Sequence, residues 1–345
     1  MSSLANIAIH PSQFPENVRR DLLNSLRTRQ VNHKFLYDSL KQTQKWLALH
    51  QAFSPSRTEA DCAATYERSF AAAAARIAAQ RVHLVGLGCG GGQKDTRLLG
   101  LLQDSAKELF YTPSDVSTAM VLVARLQALS VVPDQNCFPL VCDLATTDDL
   151  PAVLDQIAGQ ALPSSSRRTF QVSGFKFQVS RLFTFLGMIP NFDPPTILPR
   201  LASLLRPSDL LLLSANLAPG PDYAAAVQRI LPLYDNALTR DWLLTFLFDL
   251  GVQPDDGGLR FCVEDGPAGS GLKRVAAYFD FHRGLEIQVD AERFEFRAGG
   301  AIRLFFSYRH TPALVRESLA RHDLKVLDQW ITKSEEEGVF LCCHS

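Results

Sequence analysis

Five glycines fall within seven residues of VHLVGLGCGGGQKD, positions 82–95: Gly86, Gly88, Gly90, Gly91 and Gly92. A backbone so bare of side chains either turns tightly or lets a large ligand lie against its N–H groups. The stretch follows a run of β-formers and opens a charged, helix-like segment, the context of a nucleotide-type site in an α/β sheet. The spacing from Gly86 to Gly91 fits G-x-G-x-x-G, and the lack of a closing Gly-Lys-Ser/Thr excludes a P-loop. A tight strand-to-helix turn without ligand is the plain structural alternative.

Two acids separate the ligand classes. Asp115 closes the apolar run LFYTPSD, where a carboxylate after the second strand can accept both hydroxyls of a ribose. NAD enzymes and S-adenosyl-L-methionine enzymes both use that position. Asp143, in VCDL, follows the third strand, where a polar residue suits the amine of adenine. The series of loop, Asp115 and Asp143 fits S-adenosyl-L-methionine better than NAD, and no Tyr-x3-Lys dyad for hydride transfer follows it. Taken singly, each acid also reads as a helix cap or a surface group.

Positioning these residues takes alternating elements. Strand-like VHLVGL, LFYTPSD, CFPLVCDL, RLFTFLGMI and DLLLLSAN are separated by amphipathic stretches such as STAMVLVARLQAL and PPTILPRLASLL. That pattern predicts a parallel sheet covered by helices on both faces. Upstream, AFSPSRTEADCAATYERSFAAAAARIAAQ reads as a helix with Ser56 or Thr58 as its N-cap. RTFQVSGFKFQVS (168–180) reads as an extra strand or hairpin. After about residue 218 two helices are followed by LRFCVED, LKRVAAYFDF, LEIQVD, RFEFRA and AIRLFFSYRH, an antiparallel region; the final helix and two strands read as a return to the α/β sheet.

With 345 residues, 46% apolar and 21% charged, the chain can bury a large core. A formal net charge of −1 gives no global field toward nucleic acid or an anionic membrane. No stretch reads as a signal peptide or a membrane span, so a cytosolic protein with a small-molecule partner is expected. The seven cysteines include no CxxC, and no HExxH accompanies them, so buried reduced thiols are expected rather than a metal site.

The motifs FLYDS, SRTE, GLGCGGGQK, SDVS, CDL, RLFTFLGMIPNFDP, LLLLSANL and IRLFFSYRH stand in the order seen in histidine Nα-methyltransferases of ergothioneine biosynthesis, which the sequence resembles over nearly its whole length. Fungal dimethylallyltryptophan N-methyltransferases belong to the same family, and IRLFFSYRH looks more like their version. The resemblance implies a Rossmann-like S-adenosyl-L-methionine methyltransferase domain (60–217 plus 311–345). It also implies a second, α+β substrate domain, made of the N-terminus and a β-rich insertion (1–59 plus 218–310). By this resemblance Gly88, Gly90, Lys94, Asp115 and Asp143 match cofactor-binding positions, and Gly86 stands where the family usually has Glu, removing a carboxylate near the methionine amino group. Tyr37 matches a tyrosine near the amine to be methylated. Asn191 and Tyr234 match groups that hold the amino acid's backbone end, and the loop Gly187–Asn191 is one residue short. Phe53-Ser54 replace an expected tyrosine pair.

Histidine-specific members carry Glu-x-Ser on a strand, gripping the imidazole; here Phe305 and Ser307 stand there. In a regular strand Arg303, Phe305, Ser307 and Arg309 share one face. Exchanging carboxylate for phenyl favours an aromatic or apolar amine over histidine. The expected reaction is N-methylation of an amino acid or related amine, with Tyr37 orienting the nitrogen rather than serving as an obligate base, since a phenol of pKa ~10 stays protonated at neutral pH. A methyltransferase-like binding or scaffold protein is the alternative, and an NAD(P) oxidoreductase a third.

Overall fold

A computed structural model describes residues 6–104, 108–160 and 179–345. Its main sheet has eight strands in the order β1-β4-β3-β2-β5-β6-β13-β12. These are β1 (Ala8–Ile9), β2 (Arg81–Leu87), β3 (Glu108–Asp115), β4 (Leu140–Val141), β5 (Val179–Phe185), β6 (Leu210–Asn216), β12 (Leu324–Ile331) and β13 (Glu337–His344). The first six pair in parallel, while β13 runs antiparallel to both β6 and β12. This is the Rossmann-like α/β architecture that the alternating pattern predicts.

The sheet forms because its central strands are apolar on both faces. Leu84, Leu182 and Leu212 enter one core, and their neighbours Val85, Phe183 and Leu213 enter the other. Helices Ala60–Ala75 and Gln93–Gln103 cover the first face, through Cys62, Tyr66, Phe70, Leu98 and Leu102. Helices Leu150–Gln160, Pro194–Leu204 and Pro312–Ala320 cover the second. The five-alanine run lets the first helix lie close against the sheet. Its N-cap is Glu59, without a side-chain bond, because Pro55–Thr58 form a short helix of their own. Ser56 and Thr58 therefore sit inside that turn, and neither caps.

The switch point of the sheet lies between β2 and β5, from which β3 and β4 follow outward on one side and β6 on the other. Ligands of open α/β sheets bind at the carboxyl ends of the strands there. The expected extra strand over 168–180 lies outside the described residues, except for Val179 and Ser180, which open β5. No helix among the described residues is long and apolar enough to cross a membrane.

The antiparallel region forms a three-stranded sheet, β11-β8-β7, and a two-stranded hairpin, β9-β10. Its strands are β7 (Gly257–Asp265), β8 (Lys273–Phe281), β9 (Leu285–Val289), β10 (Glu292–Phe296) and β11 (Ala301–Arg309). With helices Pro15–Thr28 and Ala237–Asp249 they enclose a third core, built on Leu26, Leu36, Trp242, Leu247, Phe279, Phe281 and Ile302. In β11 the regular alternation expected over 303–309 breaks. Arg303 pairs with Tyr278 and Phe305 with the adjacent Ala277, so Leu304 is an extra residue and Arg303 points to the face opposite Phe305. Arg303 accordingly lies over the Phe306 ring, 5.2 Å from its centroid.

Candidate functional site

Beyond β2 the backbone takes positive φ at Gly88 (66°), Gly90 (51°) and Gly92 (73°). Only glycine adopts this readily, and Gly92 has a second reason: a Cβ there would stand 2.6 Å from the backbone of Ala124. The turn ends at Gly92, the N-cap of helix Gln93–Gln103. The glycine turn and the helix N-terminus thus lie together at the carboxyl edge of the sheet.

A cavity of about 170 Å³ opens on this turn. Gly88, Gly90, Lys94 and Asp95 form its floor, Asp115, Val116 and Met120 one flank, and Cys142 with Leu144 a further wall. Gly187, Met188, Asn191 and Phe192 follow from the segment after β5, and the N-terminal region closes it with His33, Tyr37, Trp46 and His50.

Asp115 faces the turn. Its Oδ2 accepts the Gly90 N–H at 3.1 Å and its Oδ1 accepts the Ser117 N–H at 3.0 Å. Burial pushes the carboxyl up to about 6, partly offset by those backbone donors. Each carboxylate oxygen has a second lone pair, so the group can still accept from a ligand hydroxyl. Lys94 lines the floor with its ammonium 3.8 Å from the Tyr66 ring centroid, and burial lowers its pKa. Tyr37 meets Trp46 and Trp242 at ring distances of 5.9 and 5.5 Å. Burial and the charge of Asp115 push its phenol further up, so it stays protonated. His33 and His50 are held down by burial, His50 to about 4, and both are neutral at pH 7.

Several expected site residues lie elsewhere. Asp143 is fully buried and does not line the cavity, although its neighbours Cys142 and Leu144 do. Its Oδ1 accepts the Ala145 N–H at 2.9 Å, and its Oδ2, without a hydrogen bond, lies 3.7 Å from the buried Lys34 Nζ. The Asp143 N–H donates to Ser12 Oγ at 3.0 Å. Gly86 does not line the cavity either; the carboxylate of Asp95 occupies the space beside it.

Tyr234, Phe305 and Ser307 come together, but outside this cavity. The Tyr234 hydroxyl donates to Ser307 Oγ at 3.0 Å and accepts from Arg309 Nη2 at 2.9 Å. The Phe305 ring stands 6.1 Å from Tyr234 and 5.8 Å from Trp242, edge-on to the latter. Trp242 in turn touches Tyr37, so an aromatic series joins this group to the cavity.

Asp95, His33, Trp46 and His50 were not singled out by sequence. Trp46 and His50 are four apart on helix Leu40–Phe53 and stack at 4.8 Å, a spacing visible in the sequence. Nothing in the sequence indicates which face of that helix meets the glycine turn.

Asp95 is 4% exposed, and burial pushes its carboxyl from 3.8 to about 6. The folded protein therefore binds this proton more tightly than the unfolded chain. Stability from this group is fully present below pH 3.8 and lost as pH rises through about 6. Asp95→Asn is expected to remove that penalty, raising unfolding free energy at pH 7.5 by up to about 3 kcal/mol. Urea unfolding at pH 5 and 7.5 checks it: a gain at pH 7.5 that falls to roughly half at pH 5 is the expected result, and a loss at both contradicts it.

The residues present suit a nucleoside with a charged amino-acid arm: bare amides, a carboxylate for hydroxyls, apolar Val116, Met120 and Leu144 for a base, and Lys94 and Asp95 for the arm. A family model described as "Histidine-specific methyltransferase, SAM-dependent" matches residues 18–237. No curated protein matches the sequence significantly. Among solved structures, magnesium protoporphyrin IX methyltransferase (ChlM) from Synechocystis PCC 6803, with bound SAH, is 14% identical. It covers 90% of this chain and 97% of its own, at a TM-score of 0.43. The 1,6-didemethyltoxoflavin-N1-methyltransferase of Burkholderia thailandensis is 11% identical, covering 99% and 93%, with a TM-score of 0.38. Likeness at these levels carries no argument about substrate.

Proposed function

The chain belongs to the family of histidine-specific, S-adenosylmethionine-dependent methyltransferases, and from that premise we propose that it methylates the amino nitrogen of an amino acid or related amine with an aromatic or apolar side chain. The observation that carries the side-chain preference is the aromatic series Tyr37, Trp242, Phe305 and Tyr234, with phenyl at position 305. Among the described residues, Phe305 meets the Tyr234 and Trp242 rings, and Tyr234 bonds Ser307 and Arg309, a set without a carboxylate.

Bound S-adenosylmethionine supplies an activated methyl on a cationic sulfur. The loop amides and Asp115 hold the nucleoside in this reading, and Lys94 and Asp95 face its amino-acid arm. Tyr37, protonated and buried, positions the acceptor nitrogen by its hydroxyl; it does not remove the proton. His33, neutral and on the cavity wall, is able to accept one. Orientation at about 3–3.5 Å and exclusion of water supply most of the acceleration such a transfer needs.

Residues 60–217 with 311–345 serve in this proposal as the cofactor half, and 1–59 with 218–310 as the substrate half; the separate cores support the division. β1 and Ser12 still reach the main sheet. All seven cysteines are free, which suits a reducing, cytoplasmic compartment.

Mass spectrometry of free amino acids and amines incubated with protein and S-adenosylmethionine tests the reading. Methyl gain on aromatic amines and none on histidine is expected. Preferential methylation of histidine would remove the side-chain preference, and no gain on any amine would favour a binding protein.

A further inference from the structure

Asp95 is a buried carboxylate on the cavity floor that makes no salt bridge among the described residues. Its Oδ1 accepts from Thr184 Oγ1 and its Oδ2 from the Tyr111 hydroxyl, each at 2.8 Å. Both donors are neutral, and both are buried. Lys94, next in sequence, directs its ammonium to the Tyr66 ring. A Cβ on Gly86 would lie 2.1 Å from Asp95 Oδ2, so residue 86 is bare because this carboxylate fills the space. Tyr111 is on β3, Gly86 on β2 and Thr184 on β5, so Asp95 sits over three neighbouring strands beside the switch point.

A buried anion bordered by neutral donors, with spare lone pairs on a ligand cavity, is arranged for a cation. We infer that Asp95 anchors the ammonium group of the cofactor's amino-acid arm, a carboxylate carried on the helix instead of at position 86 of the strand. The inference rests on the reading that the cavity takes S-adenosylmethionine. An ammonium is the cation of that arm with several donors to give, and Asp95 lies on the cavity beside Gly86. Burial pushes its pKa to about 6, only partly offset by the Thr184 and Tyr111 hydroxyls and the charge of Lys94.

Calorimetric titration with S-adenosylhomocysteine and with 5′-methylthioadenosine, which lacks the arm, tests this without turnover. Wild type is expected to prefer S-adenosylhomocysteine. Asp95→Asn is expected to weaken S-adenosylhomocysteine by roughly ten- to a hundredfold while methylthioadenosine stays within about twofold. Loss of an anion would favour the arm's carboxylate, so the expected sign isolates the ammonium. In Asp95→Ala/Gly86→Glu the freed space admits a carboxylate from the strand, and part of the preference returns relative to Asp95→Ala. An equal fall for both ligands, or an unchanged S-adenosylhomocysteine affinity, overturns the assignment and leaves the cofactor reading intact. Failure of wild type to bind either ligand overturns both.

Discussion

An Asp115→Ala variant is expected to bind S-adenosylmethionine at least about a hundredfold more weakly than wild type, measured by calorimetry. The carboxylate stands at the end of β3, lines the cavity and holds the Gly90 N–H, so its removal alters both the cavity wall and the turn. Hydrogen bonds to a charged acceptor are worth about 1.5–3 kcal/mol each, and a ribose presents two hydroxyls. Removing the side chain also frees Gly90 and Ser117 N–H groups whose positions shape the cavity floor. Acid should mimic the change in part: with the carboxyl held near 6, affinity should decline as pH falls from 7 to 5. Asp95 titrates in the same range, so the comparison belongs in an Asp95→Asn background. Unaltered binding by Asp115→Ala would remove the assignment of this cavity to the cofactor.

Lys34→Met is expected to destabilise the protein by about 3–5 kcal/mol. Lys34 is fully buried, with its Nζ 2.5 Å from Asp21 Oδ2 and 3.7 Å from Asp143 Oδ2. The cluster of Lys34, Asp21 and Asp143 has no large net benefit, because taking its three charged groups out of water offsets much of their attraction. Removing the cation alone is different: Asp143 stays behind as a buried anion whose Oδ2 has no hydrogen bond. A fall in Tm of roughly 5–10 °C should follow. Adding Asp143→Asn should recover part of it, because the anion left stranded by the first change is then gone. Equal or additive losses in the double variant would show that the lysine contributes by packing, through its proximity to the Phe35 ring, and not by charge.

The sheet was legible because runs such as RVHLVGL and LLLLSAN carry apolar residues on both faces, a signal that survives without tertiary information. Asp115 was legible for the same reason, since a strand's end marks the ligand edge. Asp143 follows β4 as read, but its burial beside Lys34 was not legible, because that partner lies more than a hundred residues away. Asp95 was hidden in another way. An acid in the first turn of a helix has an ordinary explanation in the helix dipole, and only the coordinates place it over Gly86. β1, two residues long, is too short for any periodicity to register.

For redesign of specificity, the extra residue in β11 changes which codons are worth randomising. Upstream of Leu304 the parity is inverted, so a library built on odd numbers through the strand would spend one position on Arg303, against Phe306. Phe305, Ser307 and Arg309 converge on Tyr234 and form the coherent set. Deleting Leu304 would make the pairing of β11 with β8 continuous and leave Arg303 and Phe305 on opposite faces, so bringing a guanidinium among the rings takes a substitution within this set and not a backbone edit.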